Sequence, residues 1–218
     1  MQQVFIKSNI LVGTLALLVA LPILVVGSAW LIPATELWSH FAQTLLPELV
    51  TSTLILLAGV AIGVSILGTI LAYLVVMVDF PGRRWLEWAL FLPFAMPAYV
   101  MAFVYLGVFD YSGYVQVWLR EIIGFPGFDI RAGHWAIILT FVLVFYPYVY
   151  MMARASFRRQ KIQMIEAGKM LGAKPLRVFL RISVPLARPA VAAGVLVTLM
   201  ETLADFGVVS LFNYSTFT

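Results

Sequence analysis

Long apolar runs alternate with short polar segments along most of the chain. A run of about 20 apolar residues is the length at which an α-helix crosses the hydrocarbon core of a bilayer. The pattern therefore predicts an all-α, polytopic bundle of transmembrane helices rather than a soluble domain. The five predicted spans cover residues 10–32, 49–78, 88–109, 134–152 and 189–212.

Composition supports a lipid environment and excludes several classes of site. The chain is 63% hydrophobic and 11% charged, with a mean hydropathy of +1.01, which a soluble domain of 218 residues could not bury. There is no cysteine, so disulfides, thiolate metal sites and cysteine nucleophiles are excluded. No phosphate-binding glycine loop, zinc spacing or catalytic set is visible, and His40 and His134 are explained by interfacial positions. We expect neither an enzyme, nor a metal or cofactor site, nor a nucleic-acid partner.

The charges between the spans predict one orientation. Twelve of the fourteen basic residues fall on one side of the membrane, which the positive-inside rule identifies as cytoplasmic. The N-terminus is then cytoplasmic and residue 218 lies outside. The basic residues on the cytoplasmic side are Lys7, Arg83, Arg84, Arg154, Arg158, Arg159, Lys161, Lys169, Lys174, Arg177, Arg181 and Arg188. The opposite loops hold Arg120 and Arg131 against Glu36, Glu48, Asp110, Glu121 and Asp129.

Two regions are predicted. Residues 1–48 form an N-terminal span with an outer loop, and residues 49–218 form a core domain with a cytoplasmic loop at 153–188. The first span could instead be a cleaved signal peptide, because the small residues 27–29 resemble a cleavage site, although its apolar run is longer than usual. The chain ends just after the fifth span, so we expect the core domain to be incomplete at its C-terminus.

Small residues and prolines mark two of the spans. Gly59 and Gly63 have the GxxxG spacing that lets helices approach closely in lipid, which favours a tight helix contact over a hinge. Pro93 and Pro97 each remove a backbone donor from the third span and predict kinks. Because the freed carbonyl groups need protein or water as partners, this span either lines a pathway or bends around one. The aromatic outer loop 110–133 suits an interfacial belt or, alternatively, a docking surface, with a short helix at 115–123.

The cytoplasmic loop predicts two amphipathic helices. The first runs from Arg154 to Gly172, where glycine suits a left-handed C-terminal cap. The second begins with Pro175 in its first turn, and Pro185 and Pro189 are predicted to end it at the membrane. The residue pattern alone fits equally well a segment that rests on anionic lipid and one that binds a protein.

A sequence motif in this loop favours the protein-binding interpretation. Glu166 and Ala167 are followed by Gly168, then Gly172, and after nine residues by Ile182 and Pro185. This resembles the coupling loop of permease subunits of type I ABC importers, whose pattern is Glu-Ala-Ala, three residues, Gly, nine residues, Ile, one residue, Leu-Pro. Gly168 replaces the second alanine and Val184 replaces the leucine. The resemblance covers about residues 49–212.

The resemblance implies a function and partners. The helix at 166–172 would bind in a groove of a separate ATPase subunit, and a second permease half and an extracytoplasmic substrate-binding protein would complete a transporter of the bacterial inner membrane. Segments 92–99, 200–207 and 215–218 are similar to the ferric-iron branch, in which two halves are often fused. That likeness makes ferric iron the leading expected cargo, with thiamine, phosphonate, sulfate and polyamine as alternatives.

Two carboxylates inside the fifth span are further candidates. Glu201 and Asp205 lie four residues apart on one helical face, near mid-membrane, where an unpaired charge costs several kcal/mol. They either line a cation pathway together with Pro93 and Pro97, or clamp neighbouring helices by hydrogen bonds. The alternative functions are an ion-coupled secondary transporter that uses these carboxylates, and a membrane-bound enzyme or scaffold.

Overall fold

The computed structural model of the chain describes residues 2–29, 35–124, 126–127, 129, 134–160, 170, 172 and 174–217. Every regular element within these ranges is helical, which confirms the predicted all-α class. The chain divides into two compact units, residues 1–47 and 48–218.

The N-terminal unit contains α1 (Gln2–Ala29) and α2 (Thr35–Gln43). Residues 10–29 of the first predicted span lie in α1, where Ala16–Ser28 is an apolar stretch shorter than a membrane crossing, and residues 30–32 lie outside the described residues. Large apolar side chains between Leu17 and Val26 are exposed around the whole circumference of this helix. Water would oppose such exposure, whereas lipid tails are as apolar as these side chains.

The second unit contains the remaining helices. Four helical stretches among the described residues are long and apolar enough to cross a membrane, and they correspond to the second to fifth predicted spans. The helices are α3 (Leu45–Met77, which begins at the unit boundary), α4 (Arg83–Ala89), α5 (Ala98–Phe109), α6 (Tyr114–Ile123), α7 (Trp135–Arg159), α8 (Pro175–Ala204) and α9 (Phe206–Leu211). The membrane-crossing stretches are Leu45–Met77, Ala98–Ile123, Trp135–Arg159 and Pro175–Ala204.

Helix α7 is the centre of the second unit. Its apolar window is 67% buried, against 22–28% for the other three crossing stretches. α3 packs on it through the predicted glycines: a Cβ atom at Gly63 would lie 2.4 Å from Val142 Cγ2, and one at Gly68 only 2.9 Å from the backbone nitrogen of Tyr150. The predicted close helix contact is confirmed, because only a residue without a side chain fits at these positions.

The third predicted span is not one kinked helix. α4 ends at Ala89, a short 3₁₀ turn occupies Leu92–Ala95, and α5 begins only at Ala98. A residue before proline is driven out of the helical region, and Met96 is accordingly extended, with φ −119° and ψ 134°. Two prolines four residues apart therefore separate two helices, and the apolar stretch begins ten residues later than the sequence predicted.

The helix predicted from Arg154 to Gly172 is also interrupted. α7 ends at Arg159, and Gln160 has an extended backbone, with φ −65° and ψ 132°. The side chain of Gln160 donates to the backbone carbonyl of Ser183, so a tertiary contact accompanies the end of α7.

The prediction that Pro185 and Pro189 end a helix is wrong. α8 continues from Pro175 through both prolines to Ala204. A proline ring collides with the carbonyl group four residues earlier, and for Pro185 that group belongs to Arg181. Arg181 lies in a π-helical turn at Phe179–Ser183, where the wider winding relieves this collision.

The helix of the fifth span is interrupted near its C-terminal end. α8 stops at Ala204, Asp205 leaves the helical region with φ −89° and ψ 88°, and α9 starts at Phe206. The carboxylate Oδ1 of Asp205 accepts a hydrogen bond from the backbone N–H of Val208 across 2.9 Å. Asp205 therefore caps α9, a role that favours Asp because its side chain satisfies an otherwise orphaned donor.

Candidate functional site

The two ends of the loop between α7 and α8 are joined to each other. Gln160 follows the last residue of α7, and its Nε2 donates to the carbonyl oxygen of Ser183 across 2.8 Å. Ser183 is fully buried in the π-helical turn of α8. The two residues that flank the loop are therefore hydrogen-bonded to each other, one at the end of α7 and the other within α8.

An aromatic cluster lies beside this junction. The ring of Tyr73, near the end of α3, lies 4.4 Å from the ring of Phe179 and 5.7 Å from that of Phe157. Phe157 belongs to α7 and is 1% exposed. The three helices α3, α7 and α8 thus meet at one aromatic contact, close in sequence to Gln160 and Ser183 at the two ends of the loop.

The loop motif is only partly within the described residues. Glu166, Ala167 and Gly168 lie outside them. Gly172 has a φ of +77°, the left-handed conformation that the sequence predicted for it, and Pro175 occupies the first turn of α8 as predicted. Ile182 lies half-buried in the π-helical turn, and Pro185 is half-buried one turn further along α8.

A set of ion pairs, the Glu87 clamp, joins α4 to the C-terminal end of α7. The carboxylate of Glu87 pairs with the guanidinium groups of Arg154 and Arg158, and the Arg158 Nη2 to Glu87 Oε1 distance is 2.6 Å. The side chains of Glu87 and Arg154 are 16% and 20% exposed, so this pair is largely shielded from water. Sequence reasoning used both arginines only for orientation and did not find Glu87, since a partner 71 residues away leaves no local signal.

Tyrosine hydroxyls satisfy carbonyl groups that the proline segment frees. Tyr150 donates to the carbonyl oxygen of Glu87 across 3.3 Å, and Tyr146 donates to that of Leu90 across 3.1 Å. In a continuous helix these oxygens would accept from residues 91 and 94, whose N–H groups instead bond three residues back. The freed carbonyls are thus satisfied within the protein, one of the two outcomes that the prolines required.

The two carboxylates of the fifth span share one cleft. Glu201 and Asp205 line an open cleft of about 370 Å³ together with Tyr99 at the start of α5. A Cβ atom at Gly207 would lie 3.0 Å from Tyr99 Cβ, so this glycine allows the close approach of α9 to α5. Glu201 and Asp205 line the same cleft, but the prediction that they share one helical face is wrong, because α8 ends at Ala204 and Asp205 lies in the break before α9. The sequence did not single out Tyr99.

Tyr148 connects this cleft with the proline segment. Its hydroxyl is close enough to Glu201 to interact with that carboxylate electrostatically, and its ring lies 4.7 Å from that of Phe94 at 65°. Pro93 is half-buried in the 3₁₀ turn and Pro97 is exposed at the start of α5, two residues before Tyr99. Neither proline lines the cleft, so their contribution to the site is to position its aromatic neighbours.

Hydrogen bonds also join the segment after α9 to the first turns of α3. The hydroxyl of Tyr214 donates to the carbonyl oxygen of Ser52 across 3.1 Å and contacts His134 Nδ1. Phe217 N donates to Thr53 Oγ1 across 3.3 Å. Burial raises the pKa of the Tyr214 hydroxyl. His134 therefore has a structural partner, whereas the sequence suggested only an interfacial position.

Within the described ranges, no group of three or more His, Cys, Asp or Glu side chains is placed to hold a metal ion.

Comparison with known proteins assigns the chain to a family. A family model described as "binding-protein-dependent transport system inner membrane component" matches residues 64–217. The chain belongs to this family. The family consists of transport permease components rather than enzymes, and its match begins within α3 and includes the whole of the loop and the cleft.

Individual relatives carry different transport names. The chain is 27% identical to the sulfate transport system permease protein CysT of Escherichia coli, over 90% of the chain and 72% of that protein. It is 29% identical to the Fe(3+)-transport system permease protein FbpB 2 of Haemophilus influenzae, over 78% of the chain and 30% of that protein. It is 28% identical to the putative 2-aminoethylphosphonate transport system permease protein PhnU of Salmonella typhimurium, over 67% of the chain and 52% of that protein. The chain spans about half the length, or less, of several curated relatives that it matches.

Proposed function

We propose that the chain is the membrane-spanning permease subunit of an ATP-driven importer and couples to a separate ATPase subunit through residues 153–188. The family match supports the transport role. The observation that carries the coupling role is the bond between Gln160 and Ser183, which ties the two ends of the loop to the two helices that it connects.

The proposed coupling is mechanical. A partner that pulls or pushes the loop displaces α7 and α8 together, because their ends are bonded and share the aromatic contact at Tyr73. The Glu87 clamp then connects the same end of α7 to α4 and the proline segment. Packed helices with few alternative arrangements respond to such a displacement as rigid bodies, which suits a switch between inward- and outward-facing states.

The proposed translocation face includes the cleft at Glu201 and Asp205. Both carboxylates reach the cleft, where they would favour cations or solutes that donate hydrogen bonds. The partners in this proposal are an ATPase subunit, a second permease half that completes the pathway, an extracytoplasmic substrate-binding protein and the bilayer of a bacterial inner membrane. The N-terminus and the loop are cytoplasmic.

Ferric iron remains the predicted cargo, on the short segments that suggested the iron branch. The named relatives do not favour it, since sulfate, Fe(3+) and 2-aminoethylphosphonate permeases match at 27–29% identity. Uptake of each of these three solutes into vesicles that contain the complete transporter is the measurement that assigns the cargo.

Co-purification tests the proposed function. The chain is expressed with a second permease half and candidate ATPase subunits, as wild type and as Glu166→Arg, with Asp129→Arg as the control on the opposite loop. We expect the ATPase to co-purify with wild type and Asp129→Arg but not with Glu166→Arg. Equal binding to all three proteins, or to none, would contradict the coupling role of the loop.

The shared carboxylate cleft supports one competing function, an ion-coupled secondary transporter. That transporter would move its solute with an imposed proton or ion gradient and without any ATPase. Uptake that persists when the ATPase is removed, and that stops with Glu201→Gln, would favour this alternative over the importer.

A further inference from the structure

A long apolar groove of about 690 Å³ lies between α3 and α8. Ile66 and Ile70 line it from α3, and Val191 and Leu196 line it from α8. Ile66 and Leu196 are 56% and 63% exposed, so the part of the chain that the structure describes leaves these side chains uncovered. The groove accepts a long, narrow apolar group.

An apolar surface in a bilayer does not by itself select an occupant. Lipid tails are as apolar as leucine, so the hydrophobic effect does not favour the binding of one lipid in the groove over another. Selection requires a polar feature at a fixed depth.

Arg188 supplies that feature. It is the one charged residue among those that line the groove, and it is exposed. Among the described residues, its guanidinium has neither an ion pair nor a hydrogen bond. Arg188 immediately precedes the predicted fifth span at residues 189–212, and it lies midway along the α8 wall of the groove, between Phe179 and Leu196. A long basic side chain at such a position extends along apolar surface toward the lipid phosphates.

The guanidinium group of Arg188 favours one chemical class of ligand. Its planar fork of N–H donors matches two oxygens of a phosphate group, and an excess positive charge favours lipids whose net charge is negative. An apolar groove that continues from a cation at headgroup depth is complementary to a molecule with an anionic head and a long apolar tail. A helix of a second permease half would cover the apolar walls but would have to supply an acidic partner for Arg188.

We propose that this groove binds one anionic glycerophospholipid, with its phosphate on Arg188 and one acyl chain along Val191, Val195, Leu196 and Ile66. The bound lipid fills the space between α3 and α8 and holds these helices at a fixed separation. The proposal is independent of the importer function; only the assignment of the lipid to the cytoplasmic leaflet rests on the orientation proposed above.

Native mass spectrometry of the full chain in mild detergent tests the proposal with phosphatidylglycerol and phosphatidylcholine as probes. We expect phosphatidylglycerol to bind more tightly, and Arg188→Gln to weaken that binding about fivefold, the loss that one basic residue near an anionic surface accounts for. Arg177→Gln is the matched control, because this arginine is exposed in the first turn of α8 and does not line the groove. Ala192→Trp keeps the charge and fills the groove, so it should also weaken phosphatidylglycerol binding.

Two results would overturn the proposal. One is an equal affinity for phosphatidylglycerol in Arg188→Gln, Arg177→Gln and wild type. The other is protection of Leu196→Cys from a lipid-soluble thiol reagent by a second permease half, whatever the lipid composition, which would identify the groove as a protein interface. The chain has no cysteine, so the labelling at position 196 is unambiguous. Neither measurement uses ATP, an ATPase or a transported solute, so failure here leaves the importer proposal intact.

Discussion

The side-chain amide of Gln160 donates to the backbone carbonyl of Ser183 across 2.8 Å, although 23 residues separate them. This bond joins the end of α7 to the π-helical turn of α8. We expect Gln160→Ala to lower the free energy of unfolding by about 1 kcal/mol, the usual net value of one hydrogen bond. Thermal unfolding in detergent measures this loss.

The Gln160 substitution should also weaken coupling more than stability. A loop with one end released moves without displacing both helices, so the ATPase should still bind while transport per ATP hydrolysed falls. Gln43→Ala is the control, because Gln43 is exposed at the end of α2. Unchanged transport per ATP in a folded Gln160→Ala protein would contradict this role.

The Glu87 clamp predicts an asymmetry between two ion pairs. Glu87→Gln leaves the shielded guanidinium of Arg154 without its counter-ion, which should cost about 3 kcal/mol. Asp79→Asn removes the partner of Arg83 in a pair whose carboxylate is 97% exposed, and its effect should be negligible. Melting temperatures of the two variants distinguish these outcomes, and equal shifts would show that the Glu87 pair is no stronger than a surface pair.

The glycines of α3 predict a graded loss of stability. Gly68→Ala places a methyl group against the backbone of Tyr146 and Tyr150, which cannot move aside, and should destabilise the bundle. Gly63→Ala meets only the side chain of Val142, so the double variant with Val142→Ala should recover part of the loss. Gly107→Ala is the control, since nothing lies within 4 Å of its Cβ position. Chemical denaturation of the three single variants tests the order.

Substitutions at the two cleft carboxylates should have different effects, because Asp205 caps α9 and Glu201 does not. Asp205→Asn keeps an acceptor for the N–H of Val208, so the helix cap and the stability should persist, whereas Asp205→Ala should cost about 1 kcal/mol. Glu201→Gln should leave stability nearly unchanged and reduce transport, because Glu201 is exposed and lines the cleft. Wild-type transport rates in both Glu201→Gln and Asp205→Asn would exclude a charged pathway at this cleft.

Tyr214 predicts a loss of stability at alkaline pH. Its hydroxyl donates to Ser52 only when protonated, and burial raises its pKa above the ordinary value of 10.0. The stabilisation is fully present below pH 10 and is lost as the pH rises through the raised pKa. The difference in melting temperature between wild type and Tyr214→Phe should therefore be constant from pH 7 to 9 and shrink above it. A difference that does not change with pH would contradict this assignment.

The sequence was sufficient for features that depend on local pattern. Apolar run length predicted the crossing stretches, and the spacing of Gly59 and Gly63 predicted the contact between α3 and α7. The left-handed Gly172 and the position of Pro175 also follow from local backbone preferences. These properties are decided within a few residues, where steric and hydrogen-bonding rules operate directly.

Features that depend on distant partners were missed or misplaced. The π-helical turn that lets α8 pass through Pro185 is not encoded by a local pattern, and neither is the hydrogen bond that ends α7 at Gln160. Glu87 and Tyr148 became visible only when the fold brought Arg158 and Glu201 to them. Prolines in particular have two outcomes, a kink or a break, and tertiary partners decide between them.

Site-directed cross-linking tests the central claim, that the cytoplasmic loop binds an ATPase subunit. Met170 lies within the loop motif and is 89% exposed, and Asp129 on the opposite loop is exposed as well. Because the chain has no cysteine, Met170→Cys and Asp129→Cys each provide one reactive thiol in an exposed position. We expect the ATPase to cross-link to Met170→Cys and to protect it from a water-soluble maleimide, with no effect on Asp129→Cys. Equal labelling of both positions with and without the ATPase would contradict the account.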